Sequence, residues 1–95
     1  MEIDKLLKNL DHIKILRFFH ENPNSIDTAR GVATWTNVDI KNARSALKRL
    51  TTHGLLIAHK VSSTTAYSYT RNKNSIRKIG TFLKDTSPES TNDEE

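Results

Sequence analysis

The densest chemistry in this 95-residue chain lies between positions 41 and 49, where Lys41, Asn42, Arg44, Ser45, Lys48 and Arg49 follow one another. An arginine guanidinium can bond the N7/O6 edge of guanine with two parallel donors, and an asparagine amide can match the edge of adenine. Lysines serve phosphates as point charges. On a helix, Lys41, Arg44, Lys48 and, one step round, Arg49 fall opposite Ile40, Ala43, Leu47 and Leu50, whose spacing of three and four marks a buried stripe. A helix of this kind has the diameter to enter a major groove, with early residues at base edges and later ones at phosphates. Asn42 and Arg44 are therefore expected at bases, and Lys41, Lys48 and Arg49 at phosphates. Ser45 lies between them, and Lys60 and Arg71 complete the candidate DNA-binding set. Any exposed helix face is charged, but a face with only positive charges fits a polyanion better than it fits plain solvation.

Other chemistries find little support. The four histidines, His12, His20, His53 and His59, match no ligand pair on one helical turn, and zinc needs three or four convergent ligands. With no cysteine there is no thiolate metal site, no disulfide and no thiol nucleophile. Glu2, Asp4, Asp11, Glu21, Asp27 and Asp39 are scattered singly, and neither a glycine-rich phosphate loop nor a nucleophile motif is present. No enzyme and no cofactor is expected. Trp35 reads as an apolar lid closing the second helix onto the third rather than as a platform for bases. Tyr67 and Tyr69 alternate with Ser68, so both point to one side, where packing on the first helix is expected and a hydroxyl could reach phosphate.

Charge is distributed unevenly along the chain. The whole sequence carries a formal +4, yet five of its eleven acids lie in the last eleven residues. Residues 1–84 hold all fifteen Lys and Arg against six acids, a formal +9. That excess points to a polyanionic partner or an anionic surface. No apolar run approaches the roughly 18–20 residues that span a bilayer, and no signal peptide is read at the start. The expectation is one domain over 1–84, without a membrane partner, in a reducing cytoplasm, followed by a disordered acidic tail over 85–95.

These residues need elements to hold them. Ile3, Leu6, Leu10 and Ile13, with Leu7, Leu16 and Phe19, predict a first helix, bent or divided near a cap at Asp11. Pro23 and its polar neighbours stop it. A second helix is expected from a cap at Ser25, burying Ile26, Ala29, Val32 and Ala33. Thr36-Asn37-Val38-Asp39 is a tight break in which Asn37 tolerates positive φ and Asp39 caps the third helix. Gly54 ends that helix. Leu55–Val61 and Ala66–Thr70 read as two strands joined by Ser62-Ser63-Thr64-Thr65. A last helix over about 75–84 repeats Ile76, Ile79 and Leu83. The core is expected from Ile13, Leu16, Phe19, Val32, Leu47, Leu50 and Ile57. A lone hairpin is marginal, so it must lie against the helices. The fold class is mainly α (α+β), a winged helix-turn-helix with a three-helix core, a two-stranded β-wing and a C-terminal helix.

Residues 7–24 (LKNLDHIKILRFFHENPN) resemble the first helix of small winged-helix regulators of the ArsR and MarR type. Residues 32–57 resemble their helix-turn-helix, with Leu47, Leu50, Gly54 and Leu55 on the familiar spacing. Tyr67-Ser68-Tyr69-Thr70 stands where those families carry Tyr-x-Leu-Thr. The resemblance covers about residues 7–84 and implies a transcriptional regulator binding double-stranded DNA. Three departures stand out. The wing tip SSTT lacks an Arg or Lys, the cysteine-bearing metal-sensing site has no counterpart, and Thr36-Asn37 replaces the commoner glycine.

Two functions follow from the sequence: sequence-specific DNA binding, or a winged helix used for protein–protein contact in a transcription, replication or repair assembly. The weak wing and acidic tail motivate the second. Regulators of this kind double their base contacts by pairing. The apolar stripes at Leu6, Leu7 and Leu10 and at Ile76, Ile79 and Leu83 therefore suggest a homodimer through the first and last helices, the alternative being that these helices cover each other within one chain.

Overall fold

The structure is a computed structural model that describes residues 8–86. Within them α1 runs Leu10–Glu21, β1 Ile26–Thr28, α2 Ala29–Thr36 and α3 Ile40–Thr52. β2 follows at Leu56–Val61, β3 at Thr64–Tyr69 and α4 at Lys73–Thr86. Of an early helix over 2–9, only Lys8 and Asn9 are described, and they form a turn and bend ahead of α1, while residues 1–7, Leu6 and Leu7 among them, lie outside the described residues. Asp85 and Thr86, expected in the tail, belong to α4, and residues 87–95 lie outside the described residues.

Each helix begins where a short polar side chain can take up free amides. Asn9, not Asp11, caps α1, accepting from the Asp11 amide at 2.8 Å and the His12 amide at 3.3 Å. Thr28, not Ser25, caps α2, its hydroxyl accepting from the Gly31 amide. Asp39 caps α3 as expected, accepting from the Lys41 amide at 3.0 Å. The turn between α2 and α3 closes through Asn37 at φ 59, in the left-handed region. Gly54 takes φ 77 just past α3, a conformation glycine reaches without Cβ strain.

Residues 26–28 are a strand rather than the first turn of a helix. β1 pairs antiparallel with β3, Ile26 opposite Ser68 and Thr28 opposite Ala66. The sheet therefore has three strands in the order β1-β3-β2 rather than the two of a simple wing. β-Branched Ile26 and Thr28 suit extended pairing, and that pairing delays the start of α2 to Ala29. It also leaves Ile26 63% exposed, against the expectation of a core position.

The core is Ile15, Leu16 and Phe19 from α1, Val32 from α2, Val38 from the turn, and Ala43, Ala46, Leu47 and Leu50 from α3. Leu55, Leu56, Tyr69, Ile79 and Leu83 close it. Ile57 is a correction. Leu56 pairs with the buried Tyr69, and strand alternation then sends Ile57 outward. Ile13 is only partly buried. Trp35 is a second correction, since it lies 72% exposed instead of closing α2 onto α3. On a helix it stands beyond the stripe of Ala29, Val32, Ala33 and Thr36, and Val38 fills the space beneath the turn. Ile79 and Leu83 of α4 are buried within the chain, so that stripe is largely consumed by its own fold. Leu10 remains exposed.

Candidate nucleic-acid interface

α3 packs Ala43, Ala46, Leu47 and Leu50 inward, which forces the remaining positions to solvent. Lys41, Asn42, Arg44, Ser45, Lys48 and Arg49 are all exposed. At 100° per residue, Lys41, Ser45, Lys48 and Thr52 form the central outward row. Arg44 flanks it on one side, and Asn42 and Arg49 flank it on the other.

A groove of about 550 Å³ opens between α3, the start of α2 and the two wing strands. Arg44, Ser45 and Lys48 line it from α3, and Thr28, Ala29 and Arg30 from the start of α2. Ser63, Thr64, Thr65 and Tyr67 line it from the wing. Three cations converge there, and no carboxylate is among the lining residues. Arg30 and Arg44 also border an adjoining groove of about 450 Å³ with Ala33, Thr34, Val38 and Ile40. Arg30 and Arg44 are both exposed, and their like charges at the border of both grooves favour an anion there.

The remaining candidates divide. Lys60 stands directly across the ladder from Thr65, so it projects from the groove side of the sheet. Lys41, Asn42 and Arg49 share the exposed surface of α3 but do not line the groove. Arg71 is placed elsewhere. It borders a depression of about 450 Å³ on the outer side of the sheet with Pro23, Ile26, Ile57 and His59. No local sequence pattern marks Arg30 as part of this site. Only the late start of α2 and the return of the wing bring it beside Arg44.

Tyr67 and Tyr69 do share one side of β3, and their roles differ. Tyr69 is buried, and its hydroxyl meets Nδ1 of His20 on α1 at 2.9 Å. Burial pushes its pKa up to about 12. Tyr67 is half-buried and reaches the groove. The histidines are dispersed: His12 and His20 lie on α1, His53 bonds the Arg49 carbonyl at 2.9 Å, and His59 bonds the Ser68 hydroxyl at 2.7 Å. Among the described residues no three potential ligands come together. No described helix is long and apolar enough to cross a membrane.

Neither protein-family models nor curated proteins match this chain. Solved structures do. A homodimeric winged helix-turn-helix DNA-binding domain from Mycobacterium bovis, a possible ArsR-family transcriptional regulator, superposes with a TM-score of 0.68 at 20% identity. That match covers 85% of this chain and 71% of the other. The transcriptional regulator HlyU from Vibrio vulnificus gives 0.67 at 17% identity, covering 85% and 80%. A possible transcriptional regulator from Methanosarcina mazei gives 0.64 at 13% identity, covering 99% and 86%. At these identities the likeness shows the fold, and the fold is a winged helix-turn-helix of the α+β class.

Proposed function

We propose that this chain binds duplex DNA in a sequence-specific way and acts as a transcriptional regulator, with α3 in the major groove. The convergence of Arg30, Arg44 and Lys48 around a groove free of lining carboxylates carries this reading. In it, Asn42 and Arg44 meet base edges, while Lys41, Lys48 and Arg49 meet phosphates. Ser45 sits at the centre of the inserted surface and Lys60 supports the backbone from the wing. Arg71 would reach only DNA that extends past the sheet. The work is binding, not catalysis, and the setting is the cytoplasm.

Of the similar structures named above, HlyU is described as a transcriptional regulator, the other two as possible ones, and the Mycobacterium bovis domain as homodimeric. Two copies of this chain pairing through α1 and α4 would read two half-sites about one helical turn apart. Because Ile79 and Leu83 face inward, such a pairing would draw on Leu10 and the half-buried Ile76 and Phe82. A winged helix used only for protein contact has no need of three cations in one groove.

Selection from a pool of random duplexes tests the proposal. Enrichment of a recurring sequence, arranged as an inverted repeat, is expected. A pool that stays random after several rounds contradicts sequence-specific reading.

A further inference from the structure

We infer that the groove between α3 and the wing grips one DNA strand's phosphodiester backbone between two chemically different walls, cationic on the helices and hydroxylic on the wing. The inference rests on the DNA-binding reading above and assigns residues to it. The wing lines this groove with Ser63, Thr64, Thr65 and Tyr67, none of them a cation, while Lys60 of β2 stands outside that lining. The fold supplies charge from elsewhere instead. Arg30, on α2, faces the same groove as Lys48 of α3. The opposite wall offers the hydroxyls of Thr65 and Tyr67. Tyr69 commits its hydroxyl to His20, whereas among the described residues no group bonds the Tyr67 hydroxyl. A half-buried phenol left with a free donor at the edge of a cationic groove is placed to donate to a phosphate oxygen.

The two walls leave different signatures. Only charges release counterions, so each cation that neutralises a phosphate adds about 0.9 to the slope of log affinity against log salt. A neutral hydroxyl adds affinity without adding slope. Binding to a random-sequence duplex is measured across a salt series for the full chain and for Arg30→Gln, Tyr67→Phe and Thr65→Val, each checked for folding by its melting temperature. Arg30→Gln is expected to lower the slope by about 1. Tyr67→Phe, with Thr65→Val as an independent probe of the same wall, is expected to weaken binding about two- to tenfold at every salt concentration with the slope unchanged. An undiminished slope in Arg30→Gln, or full affinity in both hydroxyl variants, overturns the two-wall grip while leaving duplex binding standing. A wild-type chain that binds no duplex overturns the proposed function as well.

Discussion

Arg44 and Lys48 lie one turn apart on α3 and line the same groove, yet the proposed docking gives them different tasks. In that docking Arg44, early on the helix, would read bases, and Lys48, later on it, would face phosphates. Arg44→Ala is expected to cost about 1–3 kcal/mol on the preferred site and little on random DNA. Lys48→Ala should weaken both alike. Competition titrations with specific and random duplexes check this, and equal losses for Arg44→Ala would contradict its assignment. Trp35 gives a stability test. An exposed side chain away from special features changes stability by no more than about 0.5 kcal/mol, so Trp35→Ser should unfold at nearly the wild-type urea concentration. A loss of several kcal/mol would place the indole in the core. Tyr69 gives a pH test. Its pKa rises from 10.0 to about 12 on folding, so above pH 10 the unfolded chain ionises first. The stability this residue contributes is present below pH 10 and lost as pH climbs toward 12. Tyr69→Phe starts less stable by about 1 kcal/mol, having lost the bond to His20, and the gap should narrow across that window. Urea unfolding at successive pH values checks it, and a constant gap would contradict the buried phenol.

The elements show where local sequence suffices. The turn at Asn37, the cap at Asp39 and the stop at Gly54 were legible because each depends on the conformational preferences of one residue. Asn37→Val should cost about 1–2 kcal/mol, since a β-branched residue resists the left-handed region. Gly54→Ala meets no steric neighbour within 4 Å, so its loss, about 1 kcal/mol, measures backbone strain alone. Thermal or urea melts read both, and an unchanged Asn37→Val would contradict the turn geometry. The strand β1 was not legible. Three residues show no periodicity, and Ile26-Asp27-Thr28 become a strand only because β3, about 40 residues later, pairs with them. The same register decides that Leu56 is buried and Ile57 is not. Capping at Thr28 instead of Ser25 follows directly, since the chain stays extended until the pairing ends.

At the scale of the whole molecule, the candidate site was legible in its helical half. Arg44, Ser45 and Lys48 share one helix, and periodicity alone turns them outward together. Arg30 and Tyr67 join them only through the packing of α2 and the return of the wing, which no local pattern encodes. The buried Ile79 and Leu83 likewise show that an apolar stripe does not announce whether its own chain or a second copy covers it. Sedimentation equilibrium is expected to show association of the 10.8 kDa chain on DNA. A monomer unchanged by added duplex would contradict the pairing. On the proposed reading, the cationic groove and the outward surface of α3 together bind a polyanionic duplex. The most direct test is the affinity of the full chain for a random-sequence duplex as salt is raised. Neutralising about four to six phosphates predicts a log–log slope of roughly −4 to −5. No binding at low salt, or a slope near zero, would contradict it.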